Sequence, residues 1–172
     1  IVIRVNSGIM PVDHWVNDPE IGGGRIIGEA CHFIDLAMFL ADSPIISISA
    51  DAMSDPNTLN NTVIVSLKME NGSVATINYF ANGNNNVPKE YIEVFSGGTI
   101  AQIDDFKMMK VYGKKIRKIK YKGQDKGHAN CVQAFLKSIK EGLPCPIPFS
   151  ESHLSMLATF KVLESIAVNR KI

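Results

Sequence analysis

The sequence has 172 residues, 45% of them hydrophobic, with 18 Lys and Arg against 17 Asp and Glu for a formal net charge of +1. That is enough chain for one domain with a real core, and the near-neutral charge argues against nucleic acid or an anionic membrane as a partner. No apolar run approaches the ~20 residues that cross a bilayer, no signal peptide is legible, and three cysteines without C-x-x-C or Cys/His ligand spacing argue against disulfides or bound metal and for a reducing cytoplasm.

Residues 1–8 read as a strand rich in Val and Ile. The chain opens on Ile1 with no polar lead-in, so we expect a fragment whose missing part lies upstream. Residues 9–24 form a long loop with Pro11, Pro19 and the triplet Gly22-Gly23-Gly24; loops of that length in compact domains are often functional. It carries Asp13-His14-Trp15. Residues 28–41 read as a helix, with Ala30, Phe33, Ile34, Ala37, Met38 and Ala41 on one apolar face. Leu36, Phe39 and Leu40 widen that face, so the helix is expected to be largely buried. Asp42-Ser43-Pro44 ends it.

Strands follow. Residues 45–53, 61–70 and 73–80 alternate apolar and polar, and Asn71-Gly72 joins the last two as a hairpin. A polar loop at 82–86 precedes strands at 91–96 and 99–104, which turn at Gly97-Gly98. Residues 108–112 and 115–121 pair through Gly113. The basic cluster Lys114, Lys115, Arg117, Lys118, Lys120 and Lys122 reads as an edge strand guarded by lysines. Helices at 127–141 and 150–169 close the chain, with Ser150 and His153 at a capping position and Glu151 in the first turn. Segregated strands and helices give an α+β class. We expect an open, mostly antiparallel sheet of about six strands with helices on one face. Apolar residues on both sides of 74–80 mark the other face as an interface.

The chemistry concentrates in Gly22–Asp35. Glu29, His32 and Asp35 fall at i, i+3 and i+6, so Glu29 and His32 share a helix face. Glycines allow close approach of backbone to a ligand. An imidazole beside a carboxylate at such a helix start is either a proton-transfer site or a buried histidine satisfied by the acid. Glu29 either joins that chemistry or complements the helix dipole. Asp35 reads first as a structural hydrogen bond or salt bridge. Cys31 points about 100° from His32 and reads as a buried structural thiol. There is no G-x-G-x-x-G and no βαβ nucleotide-binding unit.

Gly22-Gly23-Gly24 followed by Ala30-x-His32-x-x-Asp35, then strands and two helices, resembles the C-terminal domain of Gfo/Idh/MocA oxidoreductases, relatives of glucose–fructose oxidoreductase and inositol dehydrogenase. The resemblance covers essentially the whole chain. The longer phrase of Arg4-Val5-Asn6, Asp13-His14-Trp15, Asp18-Pro19 and Gly22–Asp35 resembles a subgroup often fused to a zinc-type alcohol-dehydrogenase-like module. This resemblance implies that residues 1–172 are one substrate-binding and oligomerisation domain, self-associating through the open sheet. A Rossmann domain, absent here, would hold NAD or NADP and supply a lysine from an E-K-P motif, leaving this fragment inactive alone. The substrate would be a sugar, polyol or sugar nucleotide.

In the family pattern D-x-G-x-H-x-x-D the histidine, an acid/base or substrate ligand, maps onto His32 and the last acid onto Asp35. The first acid falls on Gly28, with Glu29 one position later, and the family glycine falls on Ala30. His32 and Glu29 are therefore the catalytic candidates. His14, Trp15, Gly23, Gly24, Arg25, Asp35 and His128 are the substrate-binding candidates: Trp15 by stacking on a sugar ring or else as a core anchor, and Arg25 by pairing with an anionic group or else in solvent. His128 lies near the pocket or in a cap region, and His153 has no assigned role. A binding or assembly module that has lost catalysis is the alternative reading.

Overall fold

The structure, a computed structural model, describes residues 1–55 and 59–169. Its strands are β1 (Val2–Asn6), β2 (Ile45–Met53), β3 (Thr62–Met69), β4 (Val74–Phe80), β5 (Glu90–Ser96), β6 (Thr99–Asp104), β7 (Met108–Tyr112) and β8 (Ile116–Lys120). The helices are α1 (Cys31–Ala41), α2 (His128–Glu141) and α3 (Phe149–Val168). All eight strands form one open sheet in the order β2-β3-β4-β1-β5-β6-β7-β8. Every pairing is antiparallel except β1 with β4.

The α+β expectation holds, with eight strands where about six were expected. All eight segments read as strands join this one sheet, and β1 lies in its middle. Ile3 pairs with Ile77 on one side and Ile92 on the other, so one strand welds β2-β3-β4 and β5-β6-β7-β8 into a single sheet. Tight turns hold the hairpins. Gly97 and Gly98 both take positive φ (52° and 75°), the backbone that a two-residue type I′ hairpin needs and that glycine adopts without strain.

Alternation along the strands separates two faces. Ile3, Val5, Val63, Val65, Leu67, Ile77, Tyr79 and Ile92 point to the helix side and are at most 2% exposed. Phe33, Ile34 and Ala37 of α1 and Ala158 and Val162 of α3 complete that core. Each such Ile, Val or Leu contributes about 1.5–3 kcal/mol by leaving water. The opposite face bears Val2, Ile64, Val74 and Phe95, all exposed.

Three local expectations need correction. The helix at 28–41 is only half buried: Phe39 is 77% exposed, because the core lies on the Phe33–Ile34–Ala37 side alone. The helix also begins earlier, as a π-helical turn over Ile26–Ala30. Finally, α3 starts at Phe149 after Pro148, with no side-chain cap. The fixed φ of Pro148 (−60°) delivers the chain directly into the helix, leaving Ser150 inside the first turn. The basic cluster is, as expected, an exposed edge strand, β8.

Candidate functional site

The loop before the π turn is built on itself. Backbone N–H groups of Glu20 and Ile21 donate to Asp18 Oδ1 (2.8 and 3.0 Å), and those of Gly22 and Gly23 donate to the Asp18 carbonyl, both at 2.9 Å. His14 Nδ1 accepts from the Val16 N–H and caps a 3-10 turn at Trp15–Asn17. Trp15 is exposed. Gly23 and Gly24 adopt positive φ (65° and 84°), and a Cβ on Gly22 would lie 2.4 Å from the Val16 Cα. Within this structure, the glycines serve turn geometry and close packing of the chain on itself.

That loop delivers Arg25 inward. Arg25 is 3% exposed; its guanidinium donates to Ser7 Oγ and to the Gly8 carbonyl (2.9 Å). Ser7 Oγ lies 2.9 Å from the Tyr79 hydroxyl, and Tyr79 donates to Glu29 Oε2 at 2.5 Å. Lys89 Nζ reaches the same oxygen at 3.2 Å. A continuous polar chain therefore runs Arg25–Ser7–Tyr79–Glu29–Lys89. Burial and the hydrogen bond to Glu29 push the Tyr79 hydroxyl well above its ordinary value, so it stays a donor. Burial alone would raise the Glu29 carboxyl. The Tyr79 hydroxyl and the Lys89 ammonium outweigh that and hold it below the ordinary value. Glu29 is thus an anion near neutral pH, held by Tyr79 and Lys89.

A cleft of about 1210 Å³ opens beside this chain. The π turn and α1 contribute Glu29, His32 and Asp35; the start of β5 contributes Lys89 and Glu90; the β6–β7 turn contributes Phe106; and Lys126 and His128 come from the approach to α2. His32 and Asp35 are exposed, so His32 is not a buried histidine satisfied by an acid. Four predicted residues, Glu29, His32, Asp35 and His128, meet in this cleft. His14, Trp15, Gly23, Gly24 and Arg25 do not line it; Arg25 acts on it through Ser7 and Tyr79. Gly28 is confined by Val16, whose Cγ2 lies 3.3 Å from where a Cβ would stand.

Sequence reasoning missed Ser7, Tyr79, Lys89, Glu90 and Lys126. Tyr79 offered a signal: a tyrosine at an inward position of an alternating strand needs a partner for its hydroxyl. Lys89 and Glu90 offered none, because a distant set of contacts places them. Arg4 donates to the Pro88 carbonyl (2.7 Å). Asn6 Nδ2 donates to the carbonyls of Asn84 and Val87 (2.8 and 2.9 Å). Asp105 Oδ1 accepts from the backbone N–H groups of Lys89 and Glu90 (3.2 and 3.4 Å). Burial would raise the Asp105 carboxyl, but Lys107 and the Glu90 N–H lower it. The described residues contain no cluster of three His, Cys, Asp or Glu placed to hold a metal, and none of their helices is long and apolar enough to cross a membrane.

This fold is shared with roughly half of several oxidoreductases of known structure. An oxidoreductase domain protein from Kribbella flavida superposes with a TM-score of 0.86 at 14% identity, covering 99% of this chain and 56% of that one. UDP-N-acetylglucosamine 3-dehydrogenase from Acidithiobacillus ferrooxidans gives 0.77 at 15% identity, covering 97% and 53%. An aldose-aldose oxidoreductase from Caulobacter crescentus, complexed with glycerol, gives 0.79 at 12%, covering 99% and 54%. The chain therefore spans about half the length of these proteins, and at such identities the likeness speaks for the fold. Residues 2–101 match the family model of the GFO/IDH/MocA C-terminal domain, and the chain belongs to that family. No curated protein matches it.

Proposed function

We propose that this domain is the substrate-binding and oligomerisation half of an NAD(P)-dependent dehydrogenase acting on a hydroxyl or carbonyl of a sugar, polyol or sugar nucleotide. The observation that carries the reading is the meeting of His32 with Glu29, Lys89 and His128 around one cleft in a chain of this oxidoreductase family. No βαβ unit stands among the described residues, so we assign NAD or NADP to a Rossmann domain elsewhere in the full protein, and residues 1–172 to the substrate side. The nicotinamide supplies the hydride acceptor when bound. His32 takes the proton of the substrate hydroxyl, a role suited to an imidazole exposed to the cleft. Glu29, anionic and fixed by Tyr79, provides a negative charge on the same wall, and Lys89 offers a donor to a substrate oxygen. Asp35 and His128 complete the polar lining.

In the full-length enzyme, His32→Ala is expected to reduce kcat/KM with NAD(P) by at least a hundredfold, in line with the usual contribution of an acid/base group of about 10²–10⁴-fold. Undiminished turnover by that variant sinks the assignment. A second reading, an assembly module without catalysis, is favoured by one observation: Gly28 stands where the family pattern has its first acid, under Val16. The reading frame upstream separates the two from any unrelated lineage, since a Rossmann motif with E-K-P is expected there. The same frame tests fusion to a zinc-type alcohol-dehydrogenase-like module. We place the protein in the cytoplasm.

Self-association through the open face of the sheet is part of the proposal. Ile64, Val74 and Phe95 are exposed there, and Arg4 lies over the Tyr91 ring at 5.9 Å. Sedimentation velocity is expected to show a concentration-dependent dimer or larger species that Val74→Lys weakens; a strict monomer at high concentration counts against it.

A further inference from the structure

We propose that Asn82-Gly83 is a self-modifying site: the Gly83 backbone nitrogen attacks the Asn82 side chain, and the aspartyl or isoaspartyl product loosens the loop that presents Lys89 to the cleft. This chemistry does not depend on the dehydrogenase reading.

The sequence holds two Asn-Gly pairs, Asn71-Gly72 and Asn82-Gly83. Glycine after asparagine favours the attack, because no Cβ hinders the approach of its nitrogen. The structure separates the two pairs. Asn71 is held on every side. Its Nδ2 donates to the Ala41 carbonyl and its Oδ1 accepts from the Ser73 N–H, both at 2.9 Å. Its backbone N–H donates to Ser43 Oγ at 3.1 Å, and the Gly72 N–H donates to the Met69 carbonyl at 3.0 Å. Asn82, by contrast, is exposed. Its carboxamide makes one weak contact, from Nδ2 to the Met53 sulfur at 3.5 Å, and the Gly83 N–H has no acceptor among the described residues.

Glycine at 83 is a packing requirement. A Cβ there would lie 1.7 Å from Asn6 Oδ1. The same Asn6 carboxamide donates from Nδ2 to the Asn84 and Val87 carbonyls (2.8 and 2.9 Å), and the Asn6 N–H donates to the Lys89 carbonyl at 2.7 Å. The fold therefore sets its labile linkage against the residue that ties down the approach to Lys89.

The reaction balances without an oxidant or reductant. The Gly83 nitrogen bonds to Asn82 Cγ, the Cγ–Nδ2 bond breaks, and ammonia leaves with the proton lost from Gly83. Water then opens the cyclic imide. Addition at Cγ gives aspartate. Addition at the main-chain carbonyl carbon gives isoaspartate, with the backbone running through Cβ and Cγ. Either product carries a carboxylate where an amide stood. The isoaspartyl form also lengthens the chain just before Gly83 and so lifts Gly83 off Asn6.

The test incubates the full-length protein at mildly alkaline pH, folded and in urea. Peptide mass mapping follows amide-to-acid conversion at both asparagines, and labelling by an isoaspartyl methyltransferase marks the isoaspartate. In the folded protein Asn82 should convert about tenfold faster than Asn71 or more, since Asn71 must first break its hydrogen bonds. In urea the two rates should converge. Asn82→Gln, whose longer side chain disfavours ring closure, should abolish conversion at 82 and leave the melting temperature unchanged. Hydrogen exchange over residues 84–89 should quicken in the converted protein and not in Asn82→Gln. Equal folded-state rates at the two pairs, or an Asn82 that converts only in urea, overturn the site. A gap that persists in urea assigns the difference to local sequence and overturns the structural argument. Conversion without faster exchange over 84–89 overturns the link to the cleft.

Discussion

At the scale of single residues, the site depends on how Glu29 is held. Its folded-state pKa is depressed, so the stability it adds is complete above the ordinary glutamate value of 4.5 and is lost as pH falls through the folded value. Tyr79→Phe removes the hydroxyl that stabilises the anion. A charge-assisted hydrogen bond of this kind is worth about 1.5–3 kcal/mol, and the Tm at neutral pH is expected to fall accordingly. The difference from the unmodified protein should narrow as pH falls below 4.5 and through the depressed folded value of Glu29, beneath which the carboxyl is protonated in both. A gap constant from neutral to acid pH would mean that the hydroxyl stabilises through Ser7 rather than through the Glu29 anion. Glu29 and His32 were legible as neighbours because i, i+3 spacing survives most helix geometries. The partners of Glu29 were not, since Tyr79 and Lys89 lie on other strands or loops and the π turn changes the angle from which the carboxylate leaves. Such turns recur at functional sites.

At the scale of elements, the β6–β7 turn controls the start of β5. Asp105 combines a left-handed backbone with a side chain that accepts from Lys89 and Glu90 and pairs with Lys107 at 2.6 Å. Asp105→Ala strains the backbone and leaves two N–H groups without their acceptor, so urea denaturation should report a loss of about 2–3 kcal/mol. Asp105→Asn keeps the acceptor and tolerates the positive φ, and should lose less than half as much. Equal losses would show that the side-chain acceptor is irrelevant. Hairpins closed by Asn71-Gly72 and Gly97-Gly98 were readable because their turn chemistry is local. The Asp105-Phe106 turn was not, since nothing in Phe advertises a positive φ; contacts from β5 impose it.

At the scale of the whole molecule, β1 holds two antiparallel ribbons together. Ile3 is fully buried between Ile77 and Ile92. Ile3→Ala should cost about 2–5 kcal/mol, and hydrogen exchange should show protection falling together in β4 and β5. Loss confined to one ribbon would mean that each stands alone. The α+β class and the positions of all eight strands followed from alternation and turns, but the place of β1 at the centre did not, because pairing partners leave no trace in a strand's own sequence. That placement sets the timing of synthesis. Strand β1 leaves the ribosome before both of its partners and must wait for residues near 77 and 92, on the order of ten seconds at cellular elongation rates. Throughout that interval Ile1-Val2-Ile3-Arg4-Val5 is an unpaired apolar ribbon, open to capture by a neighbouring nascent chain. Arg4 is its only charge, so the residue that later steadies Pro88 also serves as the gatekeeper of an unfinished protein.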